Sequence, residues 1–125
     1  MRAEEIRKKL SDAGIEEAFY EARILIEEIC GEDVSEEKDY VSAELEAAIL
    51  KRSKNYPLQY ILGKWWFARC EFFVDENCLI PRADTELIVE LAMKKLPRDA
   101  FFADLCTGSG CIAVATLDLR KKMST

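Results

Sequence analysis

The residues of this chain whose types and spacing could do chemistry form one run, Asp104-Leu105-Cys106-Thr107-Gly108-Ser109-Gly110, set between two apolar stretches. Gly108 and Gly110 have no side chains, so the backbone can turn sharply there and a ligand can approach it closely. If a helix follows, its first N–H groups add a polar, slightly positive cradle. Such a cradle suits a nucleotide cofactor. Asp104 sets its charge preference: a carboxylate at the mouth repels a phosphate and attracts an ammonium. That tilts the reading from a dinucleotide towards S-adenosylmethionine, whose methionine moiety carries an ammonium. The spacing Gly108-x-Gly110-x-x-Ala113 is an allowed variant of the dinucleotide fingerprint. The strand that would bear the ribose-binding carboxylate is missing, however. A tight strand-to-helix turn without any ligand is the plainer alternative.

What is absent narrows the chemistry further. There is no histidine, which removes imidazole acid–base catalysis and most zinc sites, so no metal is expected. The five cysteines, Cys30, Cys70, Cys78, Cys106 and Cys111, are unpaired in number and spacing. They read as reduced, mostly buried thiols of a cytoplasmic protein. The formal net charge of −6 shows no basic stripe of the kind nucleic-acid binders carry. The amino terminus is charged, without the long apolar run of a secretory signal or membrane span.

The elements that must position the loop follow from periodicity. Ala3, Ile6, Leu10 and Ala13 recur at helical spacing before Gly14, and Ala18, Ala22, Leu25, Ile26 and Ile29 do so before Gly31. Ser35 is placed to cap a short helix towards Tyr40, and Ser42 to cap one carrying Leu45, Ala48, Ile49 and Arg52. Pro57 suits the first turn of a short helix over Leu58 to Leu62 that Gly63 closes. Several short amphipathic helices imply a small bundle. Then the period changes. Trp66, Phe67, Phe72, Phe73 and Val74 predict a β-hairpin, and Asp75-Glu76-Asn77 a turn. The Trp65-Trp66-Phe67 cluster reads as hairpin packing rather than a base-stacking platform. After Pro81, Asp84 or Thr85 is placed to cap a helix whose buried face is Leu87, Ile88, Leu91, Ala92 and Leu96, with Glu86 complementing its dipole. Ala100 to Leu105 has the length of a strand, and Ile112 to Leu119 that of a helix. Strand, glycine loop and helix together open a doubly wound α/β domain. One strand makes no sheet, so the chain reads as a piece of a longer protein.

Four ordered motifs carry a resemblance. They are Arg52 with Tyr56-Pro57-Leu58-Gln59-Tyr60-Ile61-Leu62-Gly63; Phe67 with Phe72-Phe73-Val74; Leu79-Ile80-Pro81-Arg82-Ala83-Asp84-Thr85-Glu86; and the glycine loop. Together they closely resemble the HemK/PrmC family of protein-(glutamine-N5) methyltransferases, which modify peptide chain release factors. The resemblance implies a helical bundle over residues 1–63 for substrate recognition and a β-hairpin linker over 64–80. It also implies the first β–α unit of a class I, Rossmann-like methyltransferase domain over 81–125. It places Leu79, Thr85, Asp104, Cys106, Thr107, Gly108, Ser109 and Gly110 around S-adenosylmethionine, with Phe67 and Phe72 in the hairpin core. The implied partner is a release factor, met by a monomer without direct contact to nucleic acid or membrane. Three departures stand out: Cys106 and Arg69 where the family usually has glycine, and Ala83 where proline is common. Arg69 is therefore expected to change the hairpin turn. The family's Asn-Pro-Pro-Tyr active-site motif falls beyond residue 125, so no catalytic residue is expected here. A protein-binding helical module without activity of its own is the competing reading.

Overall fold

The computed structural model describes residues 1–123. It divides into two units, Met1–Leu62 and Gly63–Thr125.

The first unit is four helices: α1 (Ala3–Asp12), α2 (Ala18–Cys30), α3 (Ala43–Ser53) and α4 (Leu58–Leu62). Most of the apolar positions expected from helical spacing are buried; Ala13 and Ile29 are half-buried, and Ile24, outside the expected set, is buried. Ala3, Ile6 and Leu10 of α1, Ala22, Leu25 and Ile26 of α2, and Leu45, Ala48 and Ile49 of α3 share one core. Gly31 ends α2 at φ +71°, the left-handed conformation that costs glycine little. The Ser42 hydroxyl accepts the Leu45 N–H at 3.2 Å and caps α3 as its type and position predict.

The segment from Ser35 to Tyr40 forms no helix, against expectation. Its backbone groups pair with the amino terminus and with the Tyr40 side chain instead. The Tyr40 N–H donates to the Met1 carbonyl at 2.8 Å, Arg2 and Asp39 form an isolated antiparallel bridge, and the Ser35 N–H donates to the buried Tyr40 hydroxyl at 2.8 Å. A tyrosine hydroxyl with a partner can be buried at little cost, and it pins this loop to the core.

Two ion pairs in the same region make the unit sensitive to acid. Arg7 forks onto Glu36 at 2.9 and 2.6 Å, and these hydrogen bonds hold the Glu36 carboxyl below its ordinary range. The Met1 ammonium, 2.7 Å from Asp39, lowers that carboxyl in the same way. Both groups bind protons less tightly folded than unfolded. Their contribution is therefore complete above the unfolded carboxylate pKa and is lost as pH falls through the lowered folded values. The stability gap between the native chain and Arg7→Gln, from urea unfolding at a series of pH values, is expected to be widest near neutrality. It should close as acid protonates Glu36.

The second unit begins with a two-stranded antiparallel sheet, β1 (Lys64–Phe67) and β2 (Cys70–Phe73), in the register Lys64–Phe73, Trp65–Phe72, Trp66–Glu71 and Phe67–Cys70. Alternation sends Phe67 and Phe72 inward, edge to face with ring centroids 6.2 Å apart, while Phe73 is 88% exposed. Both residues at the tip, Ala68 and Arg69, have positive φ (+46° and +67°), as a type I′ hairpin turn requires. Arg69 thus keeps the left-handed backbone glycine favours, and the expected change of turn is not needed to admit it. A left-handed residue with a side chain costs about 1–2 kcal/mol. Against the greater unfolded-state freedom of glycine, Arg69→Gly is expected to stabilise this unit by about 0.5–1 kcal/mol. Trp65 and Trp66 both lie in β1, so their fluorescence during urea unfolding reports it.

After the Asp75 turn, in which Asn77 N–H donates to the Asp75 carboxylate at 2.8 Å, the chain passes buried Pro81 into a 3-10 turn (Ala83–Thr85) and α5 (Glu86–Lys95). Neither Asp84 nor Thr85 caps α5 as expected: Thr85 sits at the cap with helical backbone angles, and its side chain makes no capping hydrogen bond. α6 (Cys111–Met123) packs on α5. A small core forms from Phe67, Phe72, Val89, Cys111 and Ala115.

Two further expectations fail here. Of the predicted buried face of α5, Leu87, Ile88 and Leu91 are exposed, and Val89 is the residue that enters the core. Ala100 to Leu105 is irregular rather than a strand. Both failures have one cause. A strand exists through pairing to a neighbour, and a helix face is buried only where a sheet covers it. Among the described residues the sheet is the hairpin alone. No helix among them is long and apolar enough to cross a membrane.

Candidate functional site

The loop predicted to hold a cofactor lies immediately before α6, and its own hydrogen bonds give it shape. The Thr107 hydroxyl donates to Asp104 Oδ2 at 2.7 Å, bringing the half-buried carboxylate over the loop. The Gly110 N–H donates to the Thr107 carbonyl at 3.1 Å, and the Val114 N–H to the Gly110 carbonyl at 3.0 Å, which starts the helix. Gly108 and Gly110 have φ of +62° and +81°. A Cβ on Gly108 would meet nothing within 4 Å, so one face of the loop is open to a ligand.

Cys106 stands where the resembling family has glycine, and it too is left-handed, at φ +58°. The loop keeps its curvature despite the side chain, at the strain a non-glycine residue carries there. Leu105, Cys106, Thr107 and Gly108 are exposed, and Ser109 and Gly110 half-buried. The remaining two predicted residues lie on other segments. Leu79 is 73% exposed beyond the Asp75 turn, and Thr85 is half-buried at the start of α5.

The donor set fits the methionine end of S-adenosylmethionine. A carboxylate has about four lone-pair sites, so one hydrogen bond from Thr107 leaves room for a ligand ammonium. The open side of Gly108 admits close approach to the backbone.

The thiols were expected to be mostly buried, and they are not. Cys111 is buried, Cys106 is exposed, and Cys30, Cys70 and Cys78 lie between; all five are free. Burial pushes the thiols of Cys30 and Cys70 up, and for Cys70 the neighbouring Asp118 carboxylate adds to it. Both are thereby poor nucleophiles at neutral pH.

Three polar contacts around these elements escape a reading of the sequence. Glu86 accepts the Ala68 N–H at 2.7 Å, joining α5 to the hairpin tip. Arg120 of α6 donates to the carbonyls of Met93 and Leu96, satisfying orphan acceptors at the end of α5. In the first unit, Arg52 grips Glu21 through two nitrogens, at 2.6 and 3.1 Å, and donates to the Tyr56 carbonyl at 3.3 Å. The one advance signal is the glycine-free hairpin tip, which needs support from elsewhere.

The chain thus combines a four-helix unit with a second unit of an antiparallel hairpin and a glycine loop opening a helix. Residues 3–63 match the PrmC N-terminal domain. The chain is similar to release factor glutamine methyltransferases, at 41% identity over 117 residues in Geobacter sulfurreducens, covering 87% of this chain and 41% of the relative. The Caulobacter vibrioides protein of the same name is 33% identical over 121 residues, covering 89% and 42% respectively. That of Chlorobaculum tepidum is 46% identical over 81 residues, covering 59% and 27%. These matches are to the HemK/PrmC family. The chain spans about two-fifths of the length of the Geobacter sulfurreducens and Caulobacter vibrioides relatives.

Proposed function

We propose that this chain is the N-terminal part of a cytoplasmic, monomeric protein methyltransferase that moves a methyl group from S-adenosylmethionine to the side-chain amide nitrogen of a release-factor glutamine. The similarity to release factor glutamine methyltransferases over 87% of the chain carries the reading. The open, carboxylate-bearing glycine loop supports it. Residues 1–63 serve as the substrate-recognition domain, 64–80 as linker, and 81–125 as the start of a class I methyltransferase domain.

Asp104 takes the ammonium of the cofactor, Cys106 to Gly110 line its methionine and ribose part, and Leu79 and Thr85 border the pocket. S-adenosylmethionine supplies an electrophilic methyl group when bound. A neutral amide nitrogen is a weak nucleophile, so the rate depends on holding it in line and hydrogen-bonding its N–H groups. The residues that do so belong to the part of the relatives that this chain does not span. The loop here is half a site.

Charge favours the helical unit as the partner-binding part. Met1–Leu62 carries nine of the 18 basic residues but 15 of the 24 acidic ones, so the whole net charge of −6 resides there. Such a surface steers basic partners at low salt.

Calorimetric titration of S-adenosylmethionine into the 125-residue chain tests the half-site. Little or no saturable heat is the expected result, and tight one-to-one binding would contradict it. The coding sequence downstream of Thr125 tests the reaction class. Asn-Pro-Pro-Tyr there supports a glutamine amide, and Asp-Pro-Pro-Tyr moves the substrate to a nucleic-acid amine.

A further inference from the structure

We propose that Glu86 is a positioning residue, a latch that fixes the hairpin tip to the first turn of α5 and thereby sets where Thr85 stands. Its role in the site rests on the reading of Thr85 as a residue bordering the cofactor. The latch itself rests on contacts alone.

The hairpin and α5 meet in two ways. Phe67 and Val89 share one buried cluster, against which Ala68 also packs. Apolar contact of this kind is non-directional and tolerates sliding and rotation. The Glu86 carboxylate adds a directional contact, accepting the Ala68 N–H at 2.7 Å from a half-buried position. A hydrogen bond of this length requires an acceptor oxygen at that reach and direction.

The hairpin needs that bond more than most. Ala68 and Arg69 are both left-handed without being glycine or asparagine, so the tip has little intrinsic preference for its own turn. On the other side, Glu86 follows directly on the 3-10 turn Ala83–Thr85, in which the Thr85 N–H donates to the Arg82 carbonyl at 3.1 Å. Holding Glu86 in place therefore holds Thr85.

The plainer account is that Glu86 merely complements the positive end of the α5 dipole. The two accounts rank substitutions in opposite order. A dipole role survives Glu86→Asp, which keeps the charge, and is lost in Glu86→Gln. A latch survives Glu86→Gln, which keeps the reach and an acceptor oxygen, and is lost in Glu86→Asp, one methylene shorter.

Amide hydrogen exchange by NMR on the 125-residue chain decides between them. We expect the Ala68 and Thr85 amides to exchange at near-native rates in Glu86→Gln. In Glu86→Asp and Glu86→Ala they should exchange about tenfold faster or more, the loss due to one hydrogen bond. Native-like exchange in Glu86→Asp with fast exchange in Glu86→Gln would overturn the latch in favour of the dipole. A released Ala68 with an unchanged Thr85 would overturn the positioning role. Should Glu86→Ala fail to fold, the Asp and Gln variants still give the ranking. No cofactor enters this measurement, so its outcome is independent of whether the protein is a methyltransferase.

Discussion

Replacing Arg52 with alanine is expected to destabilise the helical unit by about 3 kcal/mol, the usual cost of removing one partner from a buried ion pair. Arg52 and Glu21 expose only 18% and 13% of their side chains, so water is poorly placed to replace the lost contacts. The guanidinium makes three of them. Two go to the Glu21 carboxylate on α2, and one to the Tyr56 carbonyl just before Pro57 and α4. The pair thus ties α2, α3 and the approach to α4 together. Arg52→Lys is expected to recover little, because an ammonium cannot present the planar fork that meets a carboxylate at two points. Far-UV circular dichroism during urea unfolding measures the loss. Both tryptophans belong to the other unit, so their fluorescence is an internal control. A cost below about 1 kcal/mol would place the pair among ordinary surface ion pairs.

The second large effect falls on the other unit. Phe67→Ala is expected to cost about 3–5 kcal/mol, as do buried phenylalanines elsewhere. Phe67 is 1% exposed and sits among Phe72, Val89, Cys111 and Ala115. A core of so few side chains has little stability in reserve, so the substitution should unfold the hairpin and release α5 and α6 from it. Phe73→Ala, at the end of β2 on the opposite face, is expected to change stability by about 0.5 kcal/mol or less. Tryptophan fluorescence reads both. Equal effects of the two substitutions would mean that the strand register is shifted by one residue, since a shift of one exchanges the faces.

The parts of this fold that are legible in the sequence are those written in local signals. The helices of the first unit follow from apolar residues three and four apart, and their ends from Gly31, Ser42 and Pro57. The hairpin follows from alternation, which separates Phe72 from Phe73. The illegible parts depend on residues distant in the chain. Ser35 to Tyr40 looks like a capped helix, yet Tyr40 pairs with Met1 instead. Ala100 to Leu105 has the composition of a strand but no neighbour to pair with among the described residues. Apolar spacing puts Leu87, Ile88 and Leu91 on the buried face of α5, while contact with the hairpin and α6 turns Val89 inward. The sharp turns at Gly108 and Gly110 are legible because glycine marks them locally. Leu79 and Thr85 came from the resemblance, and no local pattern marks either. Arg52–Glu21 and Glu86–Ala68 join residues 31 and 18 positions apart, and nothing in their spacing announces them.

The proposed activity is methylation of a release-factor glutamine, with the glycine loop forming half of the cofactor site. Intact-mass and peptide mass spectrometry of a peptide chain release factor tests it most directly. The release factor is incubated with S-adenosylmethionine and either the uninterrupted gene product or the 125-residue chain alone. The predicted result is a single added methyl group on a glutamine side chain with the former and none with the latter. An unmodified release factor with the uninterrupted product, or a methyl group placed on a residue other than glutamine, would contradict it.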